Sequence, residues 1–182
     1  MQILTVPHPT LREKAIEVTE VTSALEKFVA DIEATLATAR RPRGVGLAAT
    51  QVGKLHRAFV LAVDDTQTLI NPRITKKSHR KSFGMDADEP TLEGCLSIPM
   101  IYGPVPRWEW VEMEYQELVD GKLVDRKTKF VDFAARVAQH ELDHLDGILF
   151  TDYTLEFGLP VYQENAKTKD LEEIDHTLLK FW

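Results

Sequence analysis

The sequence predicts an α+β fold, with mainly antiparallel sheets packed around a central helix. Several strand-like segments are interspersed with helical ones without regular alternation, which favours this class over a parallel α/β fold. Asp120-Gly121 separates two strand-like segments, a pattern typical of an antiparallel hairpin. After Asp132, a predicted N-cap, residues 133–146 are predicted to form a helix that ends at Gly147. We expect this helix to be the central one.

Ser23 and Glu26 resemble a capping box, and apolar residues then recur at helical spacing, which predicts an amphipathic helix over residues 23–40. The apolar run at 58–63 is typical of a buried strand. The segment Leu69-Ile70-Asn71-Pro72 follows. The further predictions are a polar loop near 76–90, strands at about 108–117 and 122–130, and a C-terminal helix at about 168–181 with Leu171, Ile174 and Leu178 inward.

Composition limits the class of protein. The 182 residues, 43% hydrophobic and 28% charged, suit a single catalytic domain over 1–182 whose core needs no disulfide. Cys95 is the only cysteine. The formal net charge of -7 argues against broad nucleic-acid binding, so we expect no DNA partner. We find no secretory pattern at the start and no apolar run of roughly 18 residues, which predicts a cytoplasmic protein without a membrane span.

The segment QHELDHLDG at 139–147 contains an H-E-x-x-H motif on the predicted helix. At about 100° per residue, His140 and His144 are offset by only about 40°, so both imidazoles can reach one metal ion. Glu141 lies about 100° round from His140, where it can touch a metal-bound water as a general base. Leu142 faces the other side and would anchor the helix in the core.

Two histidines need a third metal ligand. The metzincin pattern is followed as far as Gly147, but Phe150 occupies the position of its last histidine. A zinc endopeptidase with a downstream glutamate as ligand remains open, and the possible residues are Glu156, Glu164, Glu172 and Glu173. Cys95, in the segment EGCLSIP, is the favoured ligand, because one cysteine and two histidines leave a coordination position free for water. A structural metal or adaptor domain would instead need a fourth protein ligand, for which the sequence offers no good choice.

The glycine-rich segment GVGLAATQVG spans residues 44–53 and formally matches a dinucleotide-binding fingerprint. That fingerprint must follow a strand and open a helix, whereas this segment follows a predicted helix and continues poorly as one. Tight packing alone explains the small residues but not Gln51. A buried amide needs hydrogen-bond partners, or is present to donate a hydrogen bond.

Together, GVGLAATQVG, EGCLS at 93–97 and QHELDHLDG resemble the three signature motifs of peptide deformylases, over roughly residues 5–155. The resemblance implies hydrolysis of the N-formyl group from the initiator methionine of newly made polypeptides, a step of protein biosynthesis. It implies one divalent metal ion, Fe(II) in vivo with Zn, Ni or Co able to replace it, held by Cys95, His140 and His144. Glu141 would act as general base and then general acid. The Gln51 side chain and the Leu96 backbone N–H would donate hydrogen bonds to the oxyanion.

Helix spacing also predicts a pocket for the methionine side chain. Phe133 and Val137 lie two turns and one turn before His140, and they could form an apolar slot with Val45 and Gly46, or be ordinary core residues. Arg136 could line this pocket or point to solvent. An ion pair between Glu93 and Arg107 would hold the cysteine loop, although a surface pair is the alternative. Asp143 would orient a ligand imidazole or be solvated.

The partners implied by the resemblance are N-formylmethionyl nascent peptides, with transient proximity to the ribosome. Residues 163–182 hold three Lys against five Asp and Glu, whereas family members that dock on the ribosome have a basic C-terminal helix. The sequence therefore disfavours docking by this tail.

Overall fold

The computed structural model describes residues 1–39, 43–84, 91–175 and 179. Within these ranges the chain forms three α-helices, α1 (Ser23–Thr38), α2 (Asp132–Leu145) and α3 (Phe150–Phe157). The described strands are, in chain order, β1 (Gly46–Ala48), β2 (Ala58–Ala62), β3 (Thr66–Lys77), β4 (Lys81–Ser82), β5 (Glu93–Cys95), β6 (Ile98–Gly103), β7 (Arg107–Trp108), β8 (Trp110–Val119), β9 (Lys122–Val131), β10 (Val161–Glu164) and β11 (Leu171–Ile174). Short 3₁₀ helices cover Pro9–Arg12 and Ala49–Val52.

The strands form three antiparallel sheets around α2. The largest sheet has the order β1-β2-β3-β8-β9, the second β11-β10-β6-β5, and β4 pairs with β7. Helix α2 packs against β1, β2, β7, β8 and β9. Its apolar face joins a core cluster in which Ala138 and Leu145 lie with Phe59 and Met113, all fully buried. The predicted α+β class, with mainly antiparallel sheets around a central helix, is therefore confirmed.

Helix α1 begins and ends slightly differently from the prediction. Thr22, not Ser23, is the N-cap: its backbone is extended and its side chain accepts a hydrogen bond of 3.2 Å from the Leu25 N–H. The prediction of Ser23 as the cap is wrong because Ser23 is already helical, and a cap residue needs non-helical dihedrals. The helix ends at Thr38, and residue 40 of the predicted range lies outside the described residues.

The predicted hairpin is present between β8 and β9. Val119 pairs with Lys122, and both Asp120 (φ 48°) and Gly121 (φ 71°) have positive φ, as a type I′ turn requires. The polar loop predicted near 76–90 is shorter, because β3 continues to Lys77 and Lys81–Ser82 pair with β7. Residues 85–90 of that loop lie outside the described residues.

The predicted C-terminal helix is wrong over Leu171–Ile174, which form strand β11. This strand pairs with β10 over its whole length, from Glu164↔Leu171 to Val161↔Ile174. The apolar spacing of Leu171 and Ile174 suited a helix, but the paired strand satisfies the backbone hydrogen bonds instead. Residues 176–178 and 180–182 of the predicted helix lie outside the described residues, and the single-domain assignment stays a prediction.

No helix in the described part of the chain combines the length and apolar character needed to cross a membrane.

Candidate active site

Three predicted ligands lie together at the end of β5 and on α2. One donor atom from each of Cys95, His140 and His144 can be chosen so that all three lie within 4.8 Å of one another. Cys95 Sγ is 3.1 Å from His144 Nε2. All three side chains are buried, with exposed fractions of 7%, 8% and 1% in that order. The arrangement excludes bulk water from most of the cluster.

The local structure of β5 explains how Cys95 reaches the helix. Gly94 pairs with Tyr102 on β6, whereas Cys95 pairs with Ile98, so the register shifts just before the cysteine. A Cβ added at Gly94 would lie 2.6 Å from the Tyr102 ring. Only glycine therefore fits beneath that ring without moving it.

Hydrogen bonds orient the first histidine. His140 Nδ1 is 2.9 Å from Glu93 Oε2, which accepts a hydrogen bond when the proton lies on Nδ1. His140 Nε2 is then left to act as a metal ligand. His144 directs Nε2 toward the sulfur, and its buried Nδ1 has no hydrogen-bond partner among the described residues.

Glu93 is the centre of a buried ion-pair cluster. It accepts hydrogen bonds from Arg107 Nε (2.8 Å), from Arg107 Nη2 (2.9 Å) and from Arg136 Nη1 (2.9 Å). Arg107 also binds Asp143 at 2.5 Å. Burial alone would raise the pKa of Glu93, but Arg107 and His140 hold it far below its usual value. The structure thus brings Glu93 and Arg107 together, and it places Asp143 on Arg107 rather than on an imidazole.

Arg136 is inside this cluster, not in solvent. Its side chain also donates to the carbonyls of Val105 (2.9 Å) and Ser82 (3.1 Å) and is nine-tenths buried. The sequence alone does not decide between pocket and solvent for Arg136, because those carbonyls come from distant parts of the chain. Its position on α2 one turn before His140 was the available signal.

Glu141 lies beside the cluster with a free carboxylate oxygen. The residue is 3% exposed, and Oε2 is buried without a hydrogen-bond partner among the described residues. Burial raises its pKa to about 7. A Cβ added at Gly46 would lie 2.7 Å from the carboxyl carbon of Glu141, so this glycine allows the backbone of β1 to approach the acid. The orphaned oxygen fits a site that receives a further polar group, such as water.

Gln51, in the glycine-rich segment 44–53, lies next to Cys95. Its Nε2 lies 3.4 Å from Cys95 Sγ and 3.1 Å from Ser97 Oγ, and its Oε1 accepts a bond of 2.8 Å from the Ala48 N–H. The amide is therefore held on both sides. Ser97, two residues after the cysteine, is a partner that sequence reasoning missed.

A cavity of about 210 Å³ opens onto the cluster. It is lined by all four residues of the predicted apolar slot and by Leu96. Val137 is buried, whereas Phe133 is 48% exposed. Arg43, Met100, Ile101 and Tyr102 also line the cavity.

Comparison with known proteins agrees with this geometry. The family model described as polypeptide deformylase matches residues 1–157. The chain is 41% identical over 160 residues to a peptide deformylase from Thermomicrobium roseum. The aligned region covers 82% of this chain and 83% of that protein. It is 38% identical over 173 residues to peptide deformylase 2 of Vibrio vulnificus, covering 93% and 92% of the two chains.

Solved structures give the same result. A peptide deformylase from Synechococcus elongatus in complex with actinonin matches with a TM-score of 0.73 at 31% identity, covering 84% of this chain and 78% of that one. The peptide deformylase from Thermus thermophilus matches with a TM-score of 0.69 at 38% identity, covering 83% of each chain. The family match, the relatives and the buried Cys-His-His cluster together show that the chain belongs to the peptide deformylase family of metal-dependent hydrolases.

Proposed function

We propose that this chain hydrolyses the N-formyl group from the initiator methionine of newly made polypeptides. The observation that carries the proposal is the buried cluster of one cysteine and two histidines with the unpartnered Glu141 carboxylate oxygen beside it. This arrangement supports a three-ligand metal site, with Glu141 as the general base and the adjoining cavity as the substrate site. The names of the relatives support the same reaction.

Cys95, His140 and His144 would hold one divalent metal ion. A thiolate and two imidazoles suit Fe(II), which we propose as the metal in vivo, and they also suit Zn, Ni or Co. When bound, the metal supplies a Lewis acid that makes water a nucleophile near neutral pH. The Glu93 carboxylate fixes His140 through Nδ1, and Arg107 holds Glu93 in place.

Glu141 would move the proton. Its carboxylate takes a proton from the attacking water and later delivers it to the departing amine as the formyl C–N bond breaks, which leaves formate and a free amino terminus. A pKa of about 7, raised by burial, suits a group that must accept and return a proton near neutral pH.

Two donors would stabilise the negative charge on the formyl oxygen. The Gln51 amide is buried and held near Cys95, and Leu96 follows the cysteine directly, so its backbone N–H is available at the same place. Each well-aligned donor of this kind contributes about 3 kcal/mol to the transition state.

The methionine side chain would occupy the apolar part of the cavity. Val45, Gly46, Phe133 and Val137 line it, and Val137 is buried whereas Phe133 is partly exposed to solvent. We further propose nascent formylated chains in the cytoplasm as the substrates, met near the ribosome by diffusion. The acidic residues in 163–182 disfavour docking by the tail.

The test is release of formate from formyl-Met-Ala by protein prepared without oxygen and analysed for metal. Glu141→Ala should lower kcat by about 1,000-fold while metal content stays unchanged. Cys95→Ser should lose the metal. A zinc endopeptidase that does not use the thiolate as a ligand would keep its metal after the same substitution. Cleavage of unformylated Met-Ala, or full activity of Glu141→Ala, would contradict the proposal.

A further inference from the structure

Met100 has an unusual backbone conformation for its residue type. The described residues include five non-glycine positions with positive φ: Asn71, Met100, Asp120, Asp132 and Lys169. Asn and Asp tolerate this region because their short polar side chains bond locally, and Lys169 lies between β10 and β11 where the chain turns. Met100, with φ 65°, lies within strand β6 and has neither reason.

The sheet register explains how this conformation arises. Cys95 faces Ile98 and Gly94 faces Tyr102, so residues 99–101 of β6 stand opposite a single step of β5. Such a bulge redirects side chains and occurs often next to active sites. The bulge here directly adjoins the cysteine of the metal cluster.

The redirected side chain lines the active-site cavity. Met100 is half-buried and contributes to the wall built by β5 and β6, together with Tyr102. Helix α2 supplies the other wall, which contains Phe133, Val137, His140 and Glu141. The proposed methionine slot combines Phe133 and Val137 of α2 with Val45 and Gly46 at the start of β1, so Met100 on β6 is left to contact a different part of the peptide.

We infer that Met100 is a specificity-determining residue that favours an apolar side chain in the substrate residue following the formylated methionine. The inference rests on the proposed function and names one feature of its substrates. A thioether is apolar, flexible and polarisable, so it can adapt to side chains of several shapes. Backbone strain at a cavity residue persists only where the surrounding structure enforces it, which is why the strained Met100 points to function rather than chance.

Met100→Gly separates the strain from the contact. Glycine adopts φ 65° readily, so the thermal midpoint should rise, by about 3 °C. The wild type should prefer formyl-Met-Leu-Ser over formyl-Met-Ala-Ser in kcat/KM, and Met100→Gly should reduce that preference by about fivefold. Met100→Leu, which keeps an apolar side chain of similar size, should keep the preference.

Two controls make the outcome decisive. Asp120→Gly, in the remote β8–β9 turn, also replaces a positive-φ residue and should leave the Leu/Ala preference unchanged. An unchanged preference for Leu over Ala after the methionine in Met100→Gly would overturn the inference. A change only in the selectivity for the formylated methionine would also overturn it. The Kd values of Met-Leu-Ser and Met-Ala-Ser are measured for the same variants. The ratio of these two Kd values tests the role of Met100 even if the wild type removes no formyl group. Absence of formyl removal would overturn only the proposed function.

Discussion

Two groups of charged side chains in this molecule form ion pairs of similar length in opposite surroundings. The buried cluster consists of Glu93, Arg107, Arg136 and Asp143, with N–O distances of 2.5–2.9 Å. The surface ladder crosses β3, β8 and β9, with distances of 2.6–3.6 Å between Arg73, Lys76, Glu112, Glu114 and Lys127. Side chains of the buried cluster are 4–17% exposed, and those of the ladder are 20–73% exposed.

The difference teaches that exposure, not interatomic distance, decides what an ion pair contributes. Water solvates the ladder whether or not its pairs form, so each pair adds little to the free energy of folding. Removal of one member of the buried cluster leaves the remaining charges in the interior with less compensating charge and no solvent, which is strongly unfavourable. The buried cluster also fixes His140 through Glu93, so its effect extends to the active site.

Glu93→Gln is the change that should break the buried cluster most severely. The variant keeps the shape of the side chain but leaves Arg107 and Arg136 with less compensating charge in the interior. We expect the free energy of unfolding to fall by about 3 to 5 kcal/mol, measured by urea denaturation. Glu114→Gln on the ladder is the matched control and should leave the unfolding curve unchanged. Equal effects in the two variants would refute the comparison.

Arg136→Met should have a smaller effect on the same cluster. Glu93 keeps Arg107 and His140 as partners, but the carbonyls of Val105 and Ser82 lose their donor. We expect a loss of about 2 kcal/mol in the free energy of unfolding and metal release that is about tenfold faster, followed with a chromogenic chelator. Arg136→Lys keeps the positive charge but not the planar guanidinium group, so its stability and its rate of metal release should lie between those of the wild type and Arg136→Met. Wild-type metal release in Arg136→Met would show that Arg136 only stabilises the fold.

The sequence predicted the parts of the site that depend on local rules. The helical spacing of His140 and His144 and the stop at Gly147 (φ 73°) follow from short-range geometry, and α2 has both. Cys95 could be paired with them because the chain offers one cysteine, and the structure brings its sulfur to the two imidazoles. The Asp120-Gly121 turn is local in the same sense.

The remaining features depend on contacts that sequence spacing does not encode. The burial of Arg136 requires carbonyls more than 30 residues away, and the strand at Leu171–Ile174 requires its pairing with β10. The conformation of Met100 follows from the register between β5 and β6, which only the folded sheet defines. These features lie where tertiary contacts override local preference.

Lys127→Met should have the smallest effect of all, although it removes two ion pairs at once. Lys127 binds Glu112 at 2.8 Å and Glu114 at 3.3 Å, yet all three side chains contact solvent. After the change, Glu112 keeps Lys76 and Glu114 keeps Arg73, and water hydrates the carboxylates. The urea midpoint and the deformylase activity should therefore match those of the wild type within error, at both low and high salt. A destabilisation as large as that of Arg136→Met would mean that the ladder shields its charges from water, and exposure would then no longer separate the two groups.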